Sequence, residues 1–228
     1  MVDYKNLSLK TINNAEFRHV KYLIYWPLYG LAFLILERFV HVDYHYMHAS
    51  LDDFIPFCEY FVVPYYFWFV YLVGMLAYTF FYDTVCFSKM MKYIIITYSA
   101  ALLAYIVYPN AQNLRPESFA RNNVFTHIVG FLYSFDTNTN VCPSIHVLGS
   151  MAVLFASFNC EKFKSLIWKT AFLVCAVLIS VSTVFLKQHS VIDIFAAVIL
   201  GIAVLCGSFG CACDNKCNIY ADAFHVNG

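Results

Sequence analysis

Charge is scarce in this chain: 12% of its 228 residues are Asp, Glu, Lys or Arg, and fourteen basic residues balance fourteen acidic ones. A formally neutral chain builds no basic field, which argues against nucleic acid as a partner. Neither a Gly-rich phosphate loop nor a dinucleotide fingerprint occurs, so nothing points to a nucleotide-binding fold. Residues 1–20 are polar and lack the small-residue cleavage site of a secretory signal. There is no internal repeat. The nine cysteines fall mostly inside or beside apolar runs, where a thiol behaves as a small hydrophobe, so they do not form a disulfide framework. Cys211, Cys213 and Cys217 make a C-x-C-x3-C cluster with no histidine partner nearby, which reads as inert.

What is abundant is apolar and aromatic side chain, 61% and 19% of the residues. A soluble domain of this length cannot hide so much, since average usage is nearer ~45–50% apolar. Six runs emerge: Tyr22 to Leu36, Phe57 to Phe81, Tyr93 to Tyr108, Pro143 to Asn159, Leu166 to Leu186, and Val191 to Phe209. Each approaches the ~20 residues that a bilayer core requires, the fourth being shortest. Pro143 suits a first helical position, where its missing N–H costs nothing. Asp83, Lys89 and Lys92 read as the turn after the second run, and Asn110 to Val141 as the longest polar connection. The expectation is an all-α polytopic membrane protein, six transmembrane helices in a bundle. Residues 1–20 would be a cytoplasmic N-terminal segment, 21–210 the membrane domain and 211–228 a cytoplasmic tail.

Six spans put both termini on one side. Ten of the fourteen Lys/Arg fall at the termini and in the even loops, against Arg38, Arg115, Arg121 and Lys187 in the odd loops. That asymmetry predicts cytoplasmic termini in the cell membrane. Three polar islands then share the outer face: Arg115 with Pro116; Ser144 with His146; and His189 with Asp193.

On a helix, His189 and Asp193 share one face, and the carboxylate can orient the imidazole. Arg115, Lys187, Ser144 and the N–H groups opening the fourth helix can hold an anion. His189 can attack phosphorus and His146 can protonate the departing alcohol, with no metal or cofactor required. A lone histidine at a membrane edge is ordinarily an interfacial residue; two of them with an aspartate, an arginine and a serine at three span ends are a candidate site. His41, Asp43, His45, His48, Asp52 and Asp53 crowd the first outer loop, yet their spacing fits no ligand motif, so they read as a solvated or headgroup-facing loop. Glu59 reads as an interfacial residue facing headgroups, and Cys142 stands beside the site without a signal of reactivity.

These islands resemble the type 2 phosphatidic acid phosphatase superfamily, whose pattern is KxxxxxxRP, PSGH and SRxxxxxHxxxD. Tyr108-Pro-Asn-Ala-Gln-Asn-Leu-Arg115-Pro116 matches the first apart from its lysine, Pro143-Ser144-Ile145-His146 the second apart from glycine, and Ser182-Thr183 with His189 and Asp193 the third apart from arginine. The resemblance covers about residues 100–210. It implies a six-helix membrane fold, catalytic His189, Asp193 and His146, phosphate held by Arg115 and Ser144, and hydrolysis of a lipid phosphate monoester or diphosphate through a phosphohistidine. Lys187, one helical turn after Thr183, would replace the missing arginine as a point charge. Two cations in place of three also suit a singly charged phosphodiester. This keeps open the sphingolipid and inositol-phosphate transferases of the same superfamily, in which an alcohol accepts the phosphoryl group. A reading of another class is a transporter that flips a lipid phosphate without chemistry.

Overall fold

In the computed structural model, which describes residues 2–40 and 42–209, the apolar runs form α1 (Tyr25–Phe39), α2 (Val62–Tyr82), α3 (Thr84–Val107), α5 (Ile145–Asn159), α6 (Leu166–Phe185) and α7 (Val191–Phe209). A further helix, α4 (Val124–Phe135), precedes α5. His41, the Cys211–Cys217 cluster and the expected C-terminal tail lie outside the described residues. Four helical stretches are long and apolar enough to cross a membrane: Arg18–Phe39, Glu59–Tyr82, Thr84–Val107 and Leu166–Phe185. Val124–Phe135, Ile145–Asn159 and Val191–Gly207 are shorter apolar helices.

Several boundaries differ from expectation, each for a local reason. Asp83 alone separates α2 from α3, because its Oδ1 accepts the Cys86 N–H at 2.9 Å and caps the new helix at once. Lys89 and Lys92 therefore lie within α3, which begins at Thr84 and not at Tyr93. Pro143 is not helical: it follows a cis peptide, and Ser144 is the N-cap of α5. The stretch read as a polar connection contains α4. Asn123 and Thr126 start that helix by a reciprocal cap, Asn123 Oδ1 accepting the Thr126 N–H at 3.0 Å and Thr126 Oγ1 accepting the Asn123 N–H at 2.9 Å. Twelve residues rise only ~18 Å, short of a bilayer core. Val129 and Leu132 of α4 are instead buried with Val62, Tyr65 and Leu186.

The central element is α5, packed against α2, α3, α6 and α7. Leu148, Ala152 and Val153 are fully buried along it. A close approach on this helix explains Gly149: a Cβ there would stand 2.6 Å from Tyr98 Oη and 3.0 Å from the Trp68 ring. Alanine improves helix propensity by ~1 kcal/mol, but overpacking a filled site costs ~1–3 kcal/mol. Tyr98 and Trp68 are both buried rings with little room to retreat, so the cost outweighs the gain. Gly149→Ala is expected to lower the thermal unfolding midpoint in detergent, where propensity alone would raise it.

One end of the bundle gathers the ends of α1, α3 and α6, the starts of α2, α5 and α7, and the loops between. There β1 (His45–Tyr46) pairs in parallel with β2 (Asn110–Ala111), and Ala111 bridges antiparallel to Thr139. Asn110 Oδ1 accepts the Val141 and Cys142 N–H groups, both at 2.8 Å, while its Nδ2 donates to the Tyr108 and Cys142 carbonyls. This single side chain ties the chain leaving α3 to the chain entering α5. At the opposite end the N-terminal segment is packed down: Tyr4 Oη donates to the Phe80 carbonyl at 2.9 Å and lies 2.8 Å from His19 Nε2.

Candidate active site

The α6–α7 junction builds the centre of the site. After α6 the chain reverses, the Gln188 and His189 N–H groups both donating to the Thr183 carbonyl at 2.9 and 3.2 Å. Asp52, from the loop before α2, caps α7: Oδ1 accepts the Val191 N–H at 2.9 Å and Oδ2 accepts the Ser190 hydroxyl at 2.5 Å. Helix α7 thus begins at Val191, and His189 lies before it rather than on its face. Asp193, in the first turn, still reaches back: its Oδ2 contacts His189 Nδ1 at 3.2 Å and accepts the Ser190 N–H at 2.9 Å. A neutral His189 donating from Nδ1 keeps Nε2 as its basic nitrogen.

Asp52 corrects the reading of the first loop as merely solvated, being only 2% exposed. His48 pairs with Asp53 at 2.8 Å and His45 stacks on Tyr108 with ring centres 4.2 Å apart, so these groups are engaged separately. Asp52→Ala removes the cap of α7 and strands the Ser190 hydroxyl, an expected cost of about 2–3 kcal/mol. Asp52→Asn, which keeps an acceptor for the Val191 N–H, should lose less. Unfolding midpoints of the two variants check this order.

Lys187 departs furthest from expectation. Helix α6 stops at Phe185, Lys187 takes the left-handed conformation at φ 53°, and its ammonium donates to the Asp52 carbonyl at 2.8 Å. It does not lie on one helix face with Thr183. Burial lowers its pKa, opposed by the Asp52 and Asp53 charges. Gln188 instead occupies the site: its Oε1 accepts from Arg115 Nη2 at 2.5 Å.

Arg115 is held as a fork. Nη1 donates to the Tyr133 and Asp136 carbonyls at 3.3 and 3.0 Å, Nη2 also donates to the Thr137 carbonyl at 2.9 Å, and the guanidinium lies 4.5 Å over the Tyr133 ring. Burial lowers its pKa, and the Asp136 carboxylate opposes that shift. Asp136 in turn accepts from Tyr65 Oη at 3.1 Å. Burial raises the Asp136 pKa, and the Glu37 charge raises it further.

Ser144 and His146 complete the cluster. The Ser144 N–H donates to the Asp193 carbonyl at 3.2 Å, which fixes the start of α5 beside the start of α7. The His146 ring packs on Tyr65 and Trp68, each with centres 4.6 Å away, and meets the His189 ring edge-on at 5.6 Å. Ser144 Oγ, Arg115 Nε, Gln188 Nε2, His146 Nδ1 and Asp193 Oδ1 are all buried without a partner among the described residues. A stranded buried donor costs ~1–3 kcal/mol, so several at one end of one bundle mark a place shaped for a polar ligand. The Cys142 thiol faces Asp193, and burial with that neighbouring charge pushes its pKa up to about 12, which keeps it protonated. Glu59 is buried and holds Arg121 at 3.1 Å and Asn123 at 3.0 Å, fastening the loop before α4 instead of facing headgroups.

The structure therefore brings Arg115, Ser144, His146, His189 and Asp193 to one place and sends Lys187 elsewhere. Sequence reasoning missed Gln188, Asp52, Asp136 and Tyr65. Gln188 stood beside His189 and Asp136 headed a polar run, but only the folded loops give them partners. A model of the PAP2 superfamily matches residues 85–216, more than half of the chain, and the matched stretch contains all five converging residues. No curated protein and no solved structure matches the chain.

Proposed function

The chain belongs to the PAP2 superfamily, which fits a phosphatase or a related phosphotransferase, and from that membership we propose a membrane-embedded lipid phosphate phosphatase acting through phospho-His189. One observation carries this reading: the donors Ser144 Oγ, Arg115 Nε and Gln188 Nε2, buried and unpartnered among the described residues, belong to residues linked through Gln188 and Asp193 to a histidine already paired with a carboxylate. Such donors suit the non-bridging oxygens of a phosphoryl group.

His189 Nε2 attacks phosphorus, the bond to the lipid oxygen breaks with its electron pair on oxygen, and His146 delivers a proton to that oxygen. Asp193 orients the imidazole and balances its positive charge. In the second step His146 takes a proton from water, whose oxygen displaces His189 from phosphorus and releases inorganic phosphate. Six spans with cytoplasmic termini would put this chemistry at the outer face of the cell membrane.

The lipid phosphotransferase reading is favoured by the diversion of Lys187. With Lys187 on the Asp52 carbonyl and the Asp136 carboxylate close by, this reading leaves Arg115, among the described residues, as the cation for the phosphate, which suits a singly charged phosphodiester. An alcohol would then replace water in the second step.

Lipids labelled on phosphorus, offered with and without candidate alcohols, test both readings: free phosphate marks hydrolysis, and label in a new lipid marks transfer. Transient acid-labile label on the protein is expected in either case. Movement of lipid phosphate across the bilayer with neither product nor protein label would establish a transporter instead. The pH profile of turnover should be bell-shaped, because His189 must be neutral to attack while His146 must be protonated to donate. A flat profile with chemistry rate-limiting would remove those roles.

A further inference from the structure

At the end of the bundle away from His189, the α2–α3 corner meets the end of α5. Asp83 at the corner, Cys86 in the first turn of α3 and Cys160 at the C-cap of α5 offer one carboxylate oxygen and two sulfurs, all within 4.8 Å of one another. Both cysteines are nearly fully buried, at 2% and 1% exposure. Cys160 Sγ stands 3.5 Å from Asp83 Oδ2, and Cys86 Sγ is 3.3 Å from the Ala156 carbonyl.

These separations can be compared with a tetrahedral zinc centre. Zinc–sulfur bonds of ~2.3 Å and zinc–oxygen bonds of ~2.0–2.2 Å imply sulfur–oxygen edges of ~3.5 Å and a sulfur–sulfur edge of ~3.8 Å. The observed sulfur–oxygen spacing is already 3.5 Å, and no other pair in the set exceeds 4.8 Å, so closing onto a metal requires shifts of about an ångström or less. Two thiolates alone balance the charge of a divalent cation, and their softness favours a thiophilic metal.

We propose that Asp83, Cys86 and Cys160 form a binding site for a thiophilic divalent cation of the zinc type, with a fourth position left for water. Bound metal would clamp the α2–α3 corner to the far end of the helix that carries His146. Fourteen residues separate His146 from Cys160, about 21 Å of helix, so the site is distinct from the phosphate site and independent of any reading of it.

Cobalt and zinc are the probes. The full chain, purified in detergent with its thiols kept reduced by a phosphine, would carry serine at Cys211, Cys213 and Cys217 so that the tail cluster cannot bind metal. One equivalent of Co2+ is expected to produce thiolate-to-cobalt charge-transfer absorption and tetrahedral d–d bands, displaced by Zn2+. Cys86→Ser and Cys160→Ser should each abolish the charge-transfer pattern of a two-sulfur site. Asp83→Asn should weaken Co2+ binding while retaining the helix cap, because asparagine caps as well as aspartate. Should the cysteine variants fail to fold, X-ray absorption of the zinc-loaded unmutated chain reads the same site: two sulfurs at ~2.3 Å and oxygen at ~2.0–2.2 Å are expected around the metal. No stoichiometric binding, bands that survive in the variants, or a metal shell without two sulfurs would overturn the proposal.

Discussion

His189→Ala is expected to reduce turnover by about 10⁵-fold or more, on the scale seen when a catalytic nucleophile is removed. Without Nε2 there is no atom to accept phosphorus, and no described neighbour can substitute. His146 is wedged between Tyr65 and Trp68, and the Cys142 thiol stays protonated. The fold should survive, because among the described residues the imidazole makes one hydrogen bond, and Asp193 Oδ2 keeps the Ser190 N–H when that bond is lost. Lipid binding should survive too, since the Arg115, Ser144 and Gln188 donors remain. Single-turnover release of label from a phosphorus-labelled lipid measures the effect. Turnover within tenfold of the unmutated chain would exclude phospho-His189 as the intermediate and assign the attack on phosphorus to another group.

Much of this arrangement was legible because two local signals are strong. Apolar runs locate helices in a chain with so little charge, and a histidine with an aspartate four residues on is recognisable even though His189 turns out to precede α7. What escaped depends on contacts across long stretches of chain. Asp52 and Ser190 are 138 residues apart, and their bond sets where α7 begins. That same junction forces Lys187 into a left-handed turn, so an extrapolation of α6 past Phe185 placed its charge wrongly. Helix α4 was hidden for another reason: its apolar positions at Val129 and Leu132 follow a helical period, but polar segments on both sides disguised twelve residues too short to read as a span. Glu59 looked interfacial because Arg121 and Asn123, which bury it, lie more than sixty residues away.

Arg115 divides the two enzyme readings most sharply. Its guanidinium gathers the Tyr133, Asp136 and Thr137 carbonyls and the Gln188 amide, so the side chain shapes the loop after α4 and, in the proposed function, also presents charge to phosphate. Arg115→Ala strands those acceptors and removes the cation, and is expected to lower kcat/KM by about 10³-fold with a loss of roughly 2–3 kcal/mol in stability. Arg115→Lys separates the two effects, because an ammonium restores the charge but not the planar fork. It should recover part of the stability yet remain about 10²-fold down in kcat/KM. The substrate dependence is the decisive part. A doubly charged monoester leans on the cation more heavily than a singly charged diester does, all the more with Lys187 bound to the Asp52 carbonyl. If hydrolysis is the activity, Arg115→Ala should therefore harm monoester turnover more than any residual diester turnover. If transfer is the activity, diester turnover should dominate in the unmutated chain and fall less steeply. Full activity on either substrate with lysine at 115 would show that neither the fork nor its geometry serves the phosphate.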